Sequence, residues 1–561
     1  TRATGPDGAS QFLAYQGQGL VSRQWGRERV DFEYDAQGRM RGWTTWQSAD
    51  AGQARSALTW DPISGLPAGR WDPDPASGEP AGPGFAYSYD ASGRLTRVIG
   101  PRGGKIDYAY GPGGELSSVR YGGIQEPDAE YRYDRAGRLM AVEQAGSRIQ
   151  YAWDSQGRLA RESHQGGPLD QCRIEWDWQG DDVVRRRLFL GDQLCQAIAY
   201  EYDTAGRLAE IRSGDGLAVR YTYDPASGRV SQAAGSQAGN QVWNSQKEYD
   251  GLGRTVQIQA GPWKWQYAYD RAGRRSMATA ADGSRWEYGY DARGQLIRAE
   301  RFWADGTAVA GQRFQHLFDD LGNRIDGYRV NRRNQVEGRQ TAALVSVRGL
   351  AALGLPVWVN GQMADRQGEY FHSAIALPHG AYPEVEVTTG TAGPVSSGRV
   401  YRPAAWETFE HDAEGNRTRD GRWEYAWDGA GRLAAMRARA EVPAGVRLRL
   451  EFEYDAFGRR IAKRVYPWDP AQNDYAREPR LERRWIYDGW TVAAELDGTG
   501  SVLATYGWGL DRDGTMGGGA GGAGGLLWSR RAGQTLWAAM DAGGNVAGWV
   551  RGADATAVGH R

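Results

Sequence analysis

WKWQYAYDRAGRRSMATAADGSRWEYGYDARGQL, residues 263–296, holds two copies of one pattern. Trp265, Tyr267 and Tyr269 alternate in the first copy, and Trp286, Tyr288 and Tyr290 in the second. A period of two puts each set on one face of a strand. Asp270 follows directly, and an Asp at the first turn position accepts hydrogen bonds from backbone N–H groups two residues on. Gly273 supplies the positive φ of a short hairpin loop. Arg274 starts the return strand, where a guanidinium stacks on an aromatic ring or pairs with a carboxylate. The stretch predicts two successive β-hairpins.

The same unit recurs along the chain as YDAQGRM (34–40), YDASGRL (89–95), YDRAGRL (133–139), WDSQGRL (153–159) and YDTAGRL (202–208). YDPASGRV (223–230) has one extra residue; YDGLGRT (249–255), YDRAGRR (269–275) and YDARGQL (290–296) follow. FDDLGNR (318–324) and HDAEGNR (411–417) are looser, and WDGAGRL (427–433) and YDAFGRR (454–460) close the set. Consecutive copies lie 20 residues apart from Asp134 to Asp154 and 28 apart from Asp291 to Asp319. The turn residues expected to shape the fold are Asp35, Gly38 and Arg39, then Asp90, Gly93 and Arg94, then Asp134, Gly137 and Arg138. Asp154, Gly157 and Arg158, Asp203, Gly206 and Arg207, and Asp250, Gly253 and Arg254 continue the series. Asp270, Gly273 and Arg274, Asp428, Gly431 and Arg432, and Asp455, Gly458 and Arg459 complete it. An Asp repeated this often reads as a turn-maker without chemistry of its own.

Composition agrees with sheet and tight turns. The chain has 561 residues, 80 Gly, 24 Trp, 29 Tyr and only 11 Phe. Its 68 basic and 69 acidic side chains nearly cancel, which argues against a polyanion-binding surface and so against nucleic acid as partner. Mean hydropathy is −0.66, low for one solid core, while the aromatic content is too high for disorder. This fits a wall one sheet thick better than a solid globule. The most apolar stretch, 342–359, is broken by Arg348 and Pro356, so no membrane span is expected. The chain starts at Thr1 and shows no leader sequence, and both ends read as cut from a longer protein.

The unit resembles the YD, or RHS, repeat family, from about Trp25 to Met516 with one interruption. That family includes polymorphic toxins of bacteria, shell subunits of insecticidal toxin complexes and animal teneurins. The resemblance implies an all-β fold, one long antiparallel sheet of consecutive hairpins spiralling into a hollow shell or partial barrel. Strand arithmetic is compatible: about 16 to 20 hairpins give a ribbon roughly 150–190 Å wide, and a ring about 40 Å across uses about 125 Å of it. One to one and a half turns are expected. Four segments follow: the first part of the shell at 1–324, an insertion at 325–405, the second part at 406–486, and the start of the family's repeat-associated core at 487–561, truncated. The insertion has short strands around PVWVNG, GEYFHSAIAL and YPEVEVTTG and resembles a small immunoglobulin-like β module, placed on the outer surface or a rim.

Chemistry is sparse. His372 and His379 are seven residues apart in a strand and a turn, a weak metal pair. Asp511-Arg512-Asp513-Gly514 lacks the later acidic ligand of a calcium loop. GGGAGGAGG at 517–525 has no following Lys-Ser/Thr and reads as a flexible connection between hairpins. DPISGL at 61–66 only superficially matches the family's self-cleavage sequence. Cys172 and Cys195 fall on the first and third strands of a predicted meander, too far apart to bond. No catalytic, cofactor-binding or metal residue is assigned, and no cofactor is implied. The resemblance implies a structural module, not an enzyme, that encapsulates or scaffolds a polypeptide cargo or C-terminal toxin segment of a larger secreted or cell-surface protein. The alternative is an adhesion module whose exposed aromatic stripes bind glycan or a cell-surface receptor.

Overall fold

The computed structural model describes residues 2–4, 10–17, 19–25, 28–46, 53–123, 126–390, 395–517 and 520–558. Within them the chain is all β except for two single-turn 3-10 segments, Gly167–Leu169 and Ala444–Val446. Strands from Arg2–Thr4 to Ala308–Gln315 form one 28-stranded sheet, each strand antiparallel to the next in sequence. A 14-stranded sheet runs from Glu410–His411 to Ala557–Val558 by the same rule, with Asp474–Tyr475 off its path. Neighbour-to-neighbour pairing is what short hairpin loops favour, because each closure costs little chain entropy.

The expected single sheet is therefore two, divided at the insertion. The ladder stops at the two loose repeats, FDDLGNR and HDAEGNR. The end strands of the 28-stranded sheet do not pair with each other, so among the described residues there is no closed barrel.

The second sheet follows the first in the same direction. Arg432 meets Glu126 across 306 residues of chain, Arg459 meets Glu162 across 297, and Arg186 meets Asp488 across 302. Further along, Gln196 meets Tyr506 across 310, Tyr221 meets Leu510 across 289 and Tyr267 meets Ala542 across 275. A sheet folded back on itself would show separations that change steeply along the chain. A nearly constant separation means that the ribbon winds, and that its second coil lies on its first. With about 20 strands per coil at about 4.8 Å each, one turn is about 100 Å around.

The two coils share cores. Leu169, Cys172, Ile174 and Leu188 of the first pack with Ile461, Ile486 and Leu496 of the second. Ile198, Tyr200, Ile211, Val219 and Trp243 pack with Leu527, Trp528, Trp537 and Val550. Trp243 and Trp537 stack at 5.9 Å with ring planes 18° apart. Gly235 makes room: a Cβ there would lie 2.8 Å from the Trp537 ring. Over residues 198–267 the wall is thus two sheets thick, not one. No local pattern marks this cover, because the side chains that meet lie some 300 residues apart.

The insertion opens with a hairpin, Tyr328–Val330 and Val336–Gln340, that forms a three-stranded sheet with Trp406–Thr408, and its remainder forms two further small sheets. Leu344–Leu350, Tyr370–Ala376 and Asp365–Gln367 make one, and Val357–Val359, Gln362–Met363, Glu384–Thr389 and Val395–Arg399 the other. Val357, Val359, Phe371, Ile375 and Val385 fill the space between them. This unit covers the edge strand Ala308–Gln315: the Tyr370 hydroxyl donates to the Ala310 carbonyl at 2.8 Å. An uncovered edge of a long sheet invites pairing with other chains. Residues 520–525 of the glycine run make hydrogen-bonded turns against 509–512 where a flexible connection was expected. Gly518, Gly519 and the terminal 559–561 lie outside the described residues.

Trp537 is fully buried between the coils. Trp537→Ala is expected to cost about 3–5 kcal/mol and to open residues 526–551 to protease before residues 198–267. Denaturant titration with timed proteolysis tests this; an unchanged midpoint and cleavage order would refute the role given to the indole.

Candidate functional site

The built site of this protein is its repeated turn, and each turn is made the same way. In the units starting at Asp35, Asp90, Asp134, Asp154, Asp203, Asp250, Asp270, Asp428 and Asp455, the aspartate Oδ1 accepts the backbone N–H groups of the residues two and four positions on. Oδ2 accepts from the arginine Nε at 2.6–2.8 Å. The glycines at 38, 93, 137, 157, 206, 253, 273, 431 and 458 have φ between 75° and 85°. Each Asp therefore spends both carboxylate oxygens on its own loop. Where the pattern departs, the partner changes: Asn323 and Asn416 replace the guanidinium with an amide on Asp319 and Asp412. Asp224, in the longer loop, accepts from Ser227.

A second interaction joins one unit to the next. The return strand pairs with the following strand only part of the way. Arg212 to Glu210 pair with Ala218 to Arg220, and the ladder ends there. Two residues beyond, the Leu208 carbonyl is left outside it and takes the Tyr223 hydroxyl at 2.7 Å. The same bond runs from Tyr110 to Leu95, Tyr249 to Val230, Tyr269 to Thr255, Tyr290 to Arg275 and Tyr454 to Leu433. Trp60, Trp153 and Trp178 make it with the indole N–H to Met40, Leu139 and Leu159. The arginine of the preceding unit lies over the same ring: Arg207 is 4.3 Å from the Tyr223 centroid and Arg254 4.6 Å from that of Tyr269. Tyr and Trp serve here and Phe does not, because the carbonyl needs a donor. The excess of Tyr and Trp over Phe was the sequence signal for this bond.

The third set of contacts closes the seam between coils. Turns of the second coil meet the opposite ends of hairpins in the first. Arg459 bridges its own Asp455 at 2.6 Å and Glu162 of the first coil at 3.5 Å, and all three are buried. Glu162 also lies 3.0 Å from His164. Burial works against the Glu162 carboxylate, yet the His164 hydrogen bond and the Arg459 charge hold it below the usual range. Arg432 bridges Asp428 and Glu126, both at 2.7 Å. Burial and the neighbouring Asp428 charge push Glu126 up. Arg102 pairs with Asp412 at 3.6 Å and reaches Glu414 from the first coil. Sequence reasoning missed this seam, since its partners lie some 300 residues apart.

The other candidates have local roles. His372 Nε2 lies 2.9 Å from the Ser346 hydroxyl, and His379 3.0 Å from that of Thr341. Asp511 accepts from the N–H groups of Asp513 and Thr515, closing a turn. Cys172 and Cys195 are free thiols on strands separated by Asp182–Leu190. Among the described residues no group of three or more His, Cys, Asp or Glu side chains could hold a metal ion. No helix there is long and apolar enough to cross a membrane.

Fold and turn chemistry together define a class: a wound antiparallel sheet built from tandem aspartate-turn hairpins. The RHS Repeat family profile matches residues 89–123, 133–167 and 202–238. Probable deoxyribonuclease RhsA of Dickeya dadantii (strain 3937) is 25% identical over 377 residues, covering 63% of this chain and 22% of that protein. Toxin protein Tse5 of Pseudomonas aeruginosa is 26% identical over 268 residues, 43% of this chain and 19% of that protein. The crystal structure of TcdB2-TccC3 matches 99% of this chain and 31% of its own, with a TM-score of 0.57 and 12% identity, a likeness of fold. The chain is an RHS-repeat protein related to the Rhs toxins. It matches about a fifth of the length of these curated relatives.

Two expectations follow. Tyr223→Phe leaves the Leu208 carbonyl without its donor and should lower stability by about 1 kcal/mol. Tyr223→Trp keeps a donor and should lose less; equal losses in denaturant titrations would refute the bond's role. Stability should also be lost at both pH extremes. First the backbone N–H groups of Arg94, Arg138, Arg158 and Arg207, and with them their guanidiniums, hold Asp90, Asp134, Asp154 and Asp203 below the usual carboxylate range, against a smaller opposing effect of burial. A carboxyl lowered by folding stabilises above its unfolded pKa of about 3.9 and loses that contribution as pH falls through its folded value. Burial pushes Tyr223, Tyr249, Tyr290 and Tyr454 up, so their contribution is lost as pH rises from about 10 through their folded values. Unfolding midpoints measured from pH 2 to 12 should fall at both ends; a flat acid limb would contradict the turn assignment.

Proposed function

We propose that this chain is a wall segment of a shell that encloses a polypeptide cargo, a toxic segment of the same larger protein, and that the larger protein is secreted or displayed at the cell surface. The observation that carries this reading is the constant separation between coil contacts, which makes the ribbon wind and stack instead of lying open. Kinship with proteins named as toxins, and a fold like that of TcdB2-TccC3, supports it.

The mechanism is physical. A protease needs a stretch of main chain whose amides are free to pair with it. Here the wall's amides pair along the ladder, and the aromatic donors close the gaps between hairpins. The recurrent Asp and Arg side chains are committed to their own turns, so in this reading none of them performs a chemical step. The segment 1–324 forms the first part of the wall and 406–486 the second, 325–405 covers the edge between them, and 487–561 belongs to the repeat-associated core.

Limited proteolysis of the full-length protein tests the proposal. The cargo segment should be cut much more slowly within the intact protein than when isolated. Equal cutting rates would overturn it.

A further inference from the structure

The chain has four lysines, Lys105, Lys247, Lys264 and Lys463. Lys247 stands apart by its surroundings. It projects from the strand Asn240–Tyr249, two residues from Tyr249 and four from Trp243, and so shares their face. It lines a cavity of about 340 Å³ between the first coil and the turn at 510–514 of the second. Among the described residues its ammonium has neither a hydrogen-bond nor an ion-pair partner. Tyr221, Trp243 and Tyr249 supply aromatic walls, and Arg229 and Arg512 line the same space. Arg229 lies over the Tyr249 ring at 5.7 Å. The acidic groups nearby are already engaged: Asp511 closes its turn, and Asp513 faces Arg512 at 3.8 Å.

An ammonium held away from water with neither a hydrogen-bond nor an ion-pair partner is unfavourable unless a ligand compensates it or it sheds its proton. Burial alone holds the Lys247 amine below the ordinary lysine range. A neutral amine is a nucleophile. We propose that this cavity binds a small aromatic aldehyde carrying an anionic group, which Lys247 captures as a Schiff base. The amine lone pair attacks the carbonyl carbon and forms the C–N bond. The carbonyl oxygen takes up protons and leaves as water, and the iminium remains. The ring stacks among the aromatic walls while Arg229 and Arg512 face the anionic group. The inference is independent of the encapsulation reading.

The test treats the protein at neutral pH with pyridoxal 5′-phosphate, fixes imines with borohydride, and maps modified peptides by mass spectrometry. The other lysines compete for the same reagent, so the wild-type chain is its own control. Lys247 is expected to be modified several-fold faster than Lys105, because burial favours its neutral amine. Benzaldehyde, which has no anionic group, should modify Lys247 more slowly than the phosphate-bearing probe. Lys247→Arg should remove that adduct and leave the other three lysine adducts unchanged. Modification of Lys247 no faster than of Lys105 would overturn the site, and equal rates for the two aldehydes would overturn the anion preference.

Discussion

A carbonyl group that the sheet leaves behind governs this architecture. Each hairpin ends in a bulged aspartate loop, and the ladder to the next hairpin stops two residues short of it. The carbonyl exposed there must find a donor, since a stranded backbone acceptor costs about as much as a lost hydrogen bond. The tyrosine or tryptophan that ends the next outgoing strand supplies it, and the arginine beside the loop stacks on that ring. One bond therefore fixes the spacing between units, the identity of the aromatic and the position of the arginine. The two units whose leading residue is Phe318 or His411 stand where the ladder breaks and the insertion enters.

Winding adds a second level. Apolar contact and ion pairing divide the work between coils. The fully buried Trp528, Trp537, Ile211 and Val219 supply adhesion, each side chain removing roughly 1.5–3 kcal/mol of apolar exposure. Buried ion pairs such as Arg459 with Glu162 contribute little net stability, because desolvation offsets most of their attraction. Their effect is on register: a coil shifted by one hairpin would part Glu162 from Arg459 and leave each only the partner in its own coil, His164 and Asp455.

Much of this was readable in the chain. The alternation of Trp265, Tyr267 and Tyr269, and the glycine three residues after each Asp, carry the hairpins by local rules alone. The resemblance to RHS repeats supplied the winding, which strand arithmetic only allowed. Less was readable where distance intervenes. Neither the division into two sheets, nor the doubled wall over residues 198–267, nor the packing of the insertion against Ala308–Gln315 leaves a local mark.

By itself the sequence determined the repeating unit, because an aspartate loop, its left-handed glycine and its alternating aromatics interact within some 20 residues and need nothing else. It also carried, in its preference for tyrosine and tryptophan over phenylalanine, the demand for a donor. Only the tertiary structure decided which side chains of the second coil cover the first, which glycines had to stay bare beneath an indole, and why Lys247 is left facing an open cavity. Those outcomes depend on surfaces brought together across some 300 residues, where contact follows from the curvature of the whole ribbon and not from any neighbouring residue.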